Sequence, residues 1–313
     1  MNTNLMEDVA NAVLYEGYLL YPYRPSAVKN RQRWNFGVLY PQVYSELQKG
    51  TDAWSMQTEC LVKGPSPKLK LKVRFLQLSA RASGEPGEMA QEAIEREVRV
   101  DAIDVGETSR GAHHHTFEYP GETEYDGDIA RKRERIEGRL DVQVQDMGPD
   151  LKKVRSHILN TTQIDPGCSR DEALMRSFVS THTILEVEDG AFISLLEPPE
   201  ELRDIAAACQ NIGTWPVLAG EEGQTDAMLS SPIILYDYPR IAAESPGALF
   251  DGTEIDEILT LRIMTLTDAE KLEMGSDART REILERTESM PPEQFMKMHG
   301  VLRGLRGGDG RTP

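Results

Sequence analysis

The chain has 313 residues and a formal net charge of −17, from 35 Lys+Arg against 52 Asp+Glu. That length allows one large domain or two ordinary ones, and 39% hydrophobic with 28% charged residues suits a soluble globular fold. The charge disfavours nucleic acid as the main partner, because phosphate repels it, and no apolar run approaches the roughly 20 residues needed to span a bilayer.

The first eight residues lack the basic region and apolar stretch of a signal peptide, which predicts a cytoplasmic protein. Leu5, Val9, Ala12 and Val13 recur at helical spacing, so 5–14 reads as a helix that Gly17 and Pro22 break. The next stretch differs from the rest of the chain. Residues 15–44 hold eight of the 20 aromatic residues: Tyr15, Tyr18, Tyr21, Tyr23, Trp34, Phe36, Tyr40 and Tyr44. From Gly17 to Ser45 there are four basic residues (Arg24, Lys29, Arg31, Arg33) and no acid. Within that strip, 33–40 reads as a strand ending at Pro41.

Lys68 to Phe75 alternates strictly, which predicts a strand with Leu69, Leu71, Val73 and Phe75 on the core and Lys68, Lys70, Lys72 and Arg74 in water. Strands are also expected over 57–62, 96–103, 114–119, 138–145 and 151–159, the last two joined by a turn at 147–150. Loops are expected at 83–88 and 121–128. Short strands at such intervals suggest an antiparallel sandwich over 55–163.

Beyond 163 the pattern predicts a short helix over 170–177. A hairpin is expected from 181–188 and 191–196 around Asp189-Gly190. A helix should run from Pro198-Pro199 to Cys209, and a buried strand over 231–236. Helices should start near Thr253, Thr267 and Pro291, the first two with capping signals. The expected class is therefore α+β: a largely antiparallel, sandwich-like unit over 55–163, plus a helix-richer C-terminal region packed with the N-terminal segment. Residues 1–54 and 164–303 would form that second region, and 304–313 a disordered tail.

Candidate chemistry is sparse. The cysteines, Cys60, Cys168 and Cys209, are odd in number and without a CxxC pair, so neither a disulfide framework nor a cysteine-rich zinc site is expected. His113-His114-His115 invites a metal, but on a strand only His113 and His115 share a face, and a site needs three or four ligands. No metal or other cofactor is expected. Ser180 and His182 could be assembled into a nucleophilic pair with an acid, yet nothing in their spacing selects one. The motifs GxSxG, the phosphate-binding P-loop and HExxH are absent.

Asp251, Glu254, Asp256 and Glu257 sit at a loop-to-helix junction, where acids favour the helix dipole. They could equally be the counter-charge for Arg24, Arg31 or Arg33, since Arg–carboxylate pairs are directional. The strip has two readings, internal packing and partner contact, because Tyr and Arg serve both buried cores and interface centres. The candidate binding set is Tyr21, Tyr23, Arg24, Arg33, Trp34, Tyr40, Tyr44, Asp251, Glu254, Asp256 and Glu257. Tyr40 and Tyr44, beside the Pro41 and Gly50 breaks, are expected nearest the surface.

Several segments also carry a family resemblance. They are 14–24 (LYEGYLLYPYR), Arg33-Trp34-Asn35-Phe36-Gly37, 177–178 through 194–196, Trp215 to Gly220, 231–237 (SPIILYD) and 244–262. These resemble a family of bacterial proteins associated with gene clusters for uptake-type nickel–iron hydrogenases, particularly of actinobacterial type. The resemblance covers the N-terminal 40 residues and most of 170–300, and carries no catalytic residue onto this chain. It implies a role near hydrogenase assembly. The expectation is a non-enzymatic accessory protein contacting a hydrogenase subunit or maturation factor. The alternative is an enzyme using a cleft between Arg24/Arg33 and the 251–257 acids.

Overall fold

A computed structural model describes residues 3–14, 36–49, 51–82, 89–105 and 112–240, with isolated positions between 267 and 289. The chain divides into two compact units: 1–10 with 34–240, and 11–33 with 241–313. Every strand among the described residues belongs to the first unit. In the second unit, Leu284 is buried, and Lys271 and Glu288 form an ion pair at 2.7 Å.

Helix α1 (Thr3–Leu14) precedes the short α2 (Gln42–Leu47). Eight strands follow: β1 (Ser55–Lys63), β2 (Lys68–Ala82), β3 (Met89–Asp104), β4 (His113–Tyr119), β5 (Glu122–Asp126), β6 (Ile129–Arg133), β7 (Ile136–Gly148) and β8 (Leu151–Asn160). Then come α3 (Arg170–Leu174), β9 (Val179–Glu188), β10 (Ala191–Ile193), α4 (Arg203–Ala207), β11 (Trp215–Leu218) and β12 (Ala227–Ser231). All pairings are antiparallel. One sheet runs β10-β1-β8-β7-β4; the other runs β11-β12-β9-β2-β6-β5, with β3 on the opposite edge of β2. The two sheets share one hydrophobic cluster, to which Cys60, Leu140 and Val154 come from the first and Leu69, Phe75 and Leu185 from the second. Phe75 and Phe178 stack at 4.7 Å, and Tyr119 meets Phe75 edge-on at 6.0 Å. No helix among the described residues is long and apolar enough to cross a membrane.

The α+β expectation, with its helix-richer C-terminal region, is corrected by this arrangement. The fold is predominantly antiparallel β, and residues 179–231 add four strands to the two sheets. The helices there are only one or two turns long. The helices expected near 253, 267 and 291 and the tail at 304–313 fall outside the described residues, apart from isolated positions.

Local expectations fare unevenly. Leu69, Leu71, Val73 and Phe75 are buried as the alternation requires. Lys70 and Lys72, however, are only half-exposed and Arg74 is buried. Acids on the neighbouring strands and on α1 explain this, because they lie against the bases. Lys70 pairs with Glu188 at 2.6 Å, Lys72 with Glu7, and Arg74 with Glu7 at 3.3 Å and Glu95 at 3.1 Å. The 121–128 segment is not all loop either. Residues 122–126 form β5, where Glu122 and Glu124 both bind the guanidinium of Arg133, which is buried beside them.

Asp189-Gly190 does turn the chain, with Asp189 in the left-handed region at φ +55. It does not close a hairpin: β9 lies in the second sheet, whereas β10 crosses to pair with β1. The strand expected over 231–236 ends at Ser231, and Ile234 and Tyr236 beyond it are largely exposed.

Candidate functional site

One groove gathers exposed aromatic and convergent polar side chains. It begins at Gly37, whose φ of +50 is left-handed. A Cβ there would lie 2.6 Å from the Pro232 ring, so glycine lets segment 36–38 lie against the loop after β12. The segment also hydrogen-bonds to the start of β9, through Ser180 N to Phe36 O and Thr181 N to Gly37 O, both 3.0 Å. Leu39 then bridges Phe178, and the buried Asn160 amide donates to Leu39 O at 2.8 Å. Together these bonds fix the direction in which the chain enters Tyr40.

Pro41 opens α2, which turns Tyr44 back toward Tyr40 with their rings 5.3 Å apart. The loop after α2 returns Asp52 to this pair. Tyr44 Oη donates to Asp52 Oδ2 at 3.3 Å, Ser45 Oγ donates to Asp52 O, and Tyr40 N donates to Ala53 O at 2.8 Å. Arg170 arrives from the first turn of α3, which Ser169 and Glu172 close with a capping box. Its guanidinium lies over the Tyr40 ring, 5.4 Å from the centroid, and its Nε is 3.7 Å from Asp52 Oδ2.

Tyr40, Asp52 and Arg170 line a cavity of about 300 Å³. Leu39 and Met56 contribute buried apolar surface, while Phe36 and Trp215 remain 38% and 44% exposed. Among the described residues the lining carries one charge of each sign, Arg170 and Asp52. Burial pushes the Tyr40 phenol from its ordinary 10.0 up to about 12, against the pull of Arg170. Tyr44 is also raised, first by burial and then by the Asp52 carboxylate. The Tyr40 hydroxyl is buried and has no hydrogen-bond partner among the described residues. Behind the groove, Thr58, Ser230 and Thr214 form a buried chain of hydroxyls, each step 2.7 Å.

Of the residues expected from sequence to form a site, the structure brings Tyr40 and Tyr44 together. Their expected exposure is corrected: they are 2% and 4% exposed, because Pro41 begins a helix that folds back rather than leading the chain outward. Tyr21, Tyr23, Arg24, Arg33, Trp34, Asp251, Glu254, Asp256 and Glu257 lie outside the described residues, as does the cleft proposed between them. Asp52, Arg170 and Trp215 were not singled out from sequence. Trp215 entered only as the start of a resembling segment and Arg170 only as the start of an expected helix, and nothing linked them.

The other candidates acquire structural partners. His114 Nδ1 meets Asp141 Oδ1 at 2.6 Å, and the same carboxylate takes Arg139 Nε at 3.0 Å. His182 is buried within β9, its Nδ1 against Ser180 O. Among the described residues no three His, Cys, Asp or Glu side chains are grouped to hold a metal. Comparison with protein-family models and with curated proteins finds no match to this chain.

Proposed function

We propose that this protein is a non-enzymatic accessory protein of the cytoplasm that acts by binding a protein partner at the Phe36–Trp215 groove. The observation that carries the reading is a pair of part-exposed aromatic side chains flanking a cavity with an arginine and a buried tyrosine. Aromatic and arginine side chains are the residue types that dominate binding energy at protein interfaces. Three free thiols agree with a reducing compartment. The net charge of −17 favours a protein partner over nucleic acid. The resemblance of the N-terminal strip and of 170–300 to a hydrogenase-associated family supports a hydrogenase subunit or maturation factor as that partner.

A photo-crosslinking residue placed at Trp215 in the native host tests this. It should capture a hydrogenase subunit or maturation factor, whereas the same probe at Tyr125, 78% exposed on β5, should not. Equal capture from both positions, or none from Trp215, removes the reading.

A further inference from the structure

A strand at the end of a sheet carries a row of backbone groups that must be blunted, covered or paired. β4 ends the first sheet and is bonded to β7 on one side. Among the described residues, no backbone hydrogen bond reaches its other side. It runs for seven residues without proline or lysine, and no register shift interrupts its pairing with β7. His113, His114, Thr116 and Glu118 are exposed. On the inner face, Phe117 and Tyr119 carry the shared hydrophobic cluster out to this edge and are only partly buried. Strands β10, β11 and β5, at the other ends of the sheets, are less suited to a partner. β10 has three residues. β11 has four, includes Pro216, and gives Leu218 O to Tyr238 N at 2.7 Å. β5 carries Glu122, Glu124 and Asp126 at alternate positions, so it repels a strand of its own sequence.

We infer that β4 pairs with β4 of a second copy of this chain, antiparallel about a two-fold axis at Thr116, so that the two five-stranded sheets become one continuous sheet. The side chains select this partner and this register. With Thr116 on the axis, each residue faces the one equally far along on the other side, so His114 stands opposite Glu118 of the second copy, and Glu118 opposite its His114. Within the protomer His114 already meets Asp141 at 2.6 Å and Glu118 meets Arg135 at 3.0 Å. The pairing adds a complementary group to each without displacing the one it has. An axis at His115 or at Phe117 would instead set His114 or Glu118, respectively, opposite Thr116, and both pairings would be lost. On the inner face His115 falls opposite Phe117 and His113 opposite Tyr119, cross-strand pairs that cover the part-buried rings. Seven residues from each copy bury less than a standard interface, so association in about the micromolar range is expected. None of these residues lines the Phe36–Trp215 groove, so self-association and docking there stand or fall separately.

Sedimentation of the full chain should show dimers at about 100 µM and mainly monomers at about 1 µM. Thr116→Lys, a change at an exposed position, places two ammonium groups on the axis and should weaken association about tenfold or more without altering the melting temperature. Single cysteines under mild oxidation read the register. In Thr116→Cys the two Cα atoms lie roughly 5 Å apart, within disulfide reach, so a covalent dimer should form. In His114→Cys they lie roughly 14 Å apart, and Thr123→Cys is on β5; neither should crosslink more than the unaltered chain with its free Cys60, Cys168 and Cys209. The inference is overturned by a chain that stays monomeric at about 100 µM, or by a Thr116→Lys protein that associates as well as the unaltered one. Crosslinking no better from position 116 than from 114 or 123 overturns it as well.

Discussion

Tyr40 concentrates the opposing demands on the groove. Its ring is packed and its hydroxyl desolvated, so the fold bears a cost that phenylalanine would not. Tyr40→Phe should therefore leave stability unchanged or raise it by about 1 kcal/mol in urea denaturation. A loss of more than that would mean the hydroxyl has a partner in solution. The phenol titrates in a predictable direction. Its folded value, about 12, lies above the ordinary 10.0, so the neutral form is the one the fold favours. Ionisation adds no penalty to the fold below about pH 10, and stability is lost as pH rises from there toward about 12. The difference in stability between the unaltered chain and Tyr40→Phe should follow that window. A difference that stays flat from pH 9 to 12 would contradict the assignment.

The secondary elements show where inference from sequence succeeds. In β2, Leu69, Leu71, Val73 and Phe75 alternate without interruption, and burial follows because a strand has only two faces. The β7–β8 pair was legible for the same reason, helped by a turn at Pro149-Asp150. Position 190 was not. The same Asp-Gly chemistry that closes hairpins also serves a crossing between sheets, and only the location of β1 decides which occurs. The groove was legible only in part. Phe36, Tyr40 and Tyr44 belong to one aromatic strip, but Arg170 and Trp215 come from distant segments and Asp52 from the loop after α2, with no shared spacing.

Two element-level predictions follow from packing and charge. Gly138 lies opposite Phe117, and a Cβ at 138 would come within 2.7 Å of that ring. Gly138→Ala should destabilise the protein by about 1–3 kcal/mol in urea denaturation, through displacement of Phe117. In the β5–β6 hairpin, the hydrogen bond from Arg133 holds the Glu124 carboxyl below its ordinary 4.5. A depressed value means that the contribution is present above about pH 4.5 and is lost as acid protonates Glu124. Hydrogen exchange in 122–133 should accelerate as pH falls below that value, after correction for intrinsic rates. Arg133→Gln should abolish that extra pH dependence; a hairpin indifferent to both changes would show that the ion pair is not what secures it.

At the scale of the molecule, the two sheets must settle on one alignment, and apolar contact alone is poor at choosing between neighbouring ones. Thr58 stands on β1 in the first sheet and Ser230 on β12 in the second, with Thr214 next in the hydroxyl chain. Ser230 is the middle link, so removing it strands Thr58 and Thr214 together, and Ser230→Ala alone should cost about 1–3 kcal/mol. Replacing all three, as Thr58→Val, Thr214→Val and Ser230→Ala, should cost less than the sum of the three single changes, since no hydroxyl is then left stranded. What the triple variant should lose is singularity. Its amide resonances should broaden or double where the sheets meet, while a single sharp set would show that hydrophobic packing already dictates the alignment. In that sense the hydroxyls act as a key between the sheets: they admit one way of closing and contribute little to how tightly it is held.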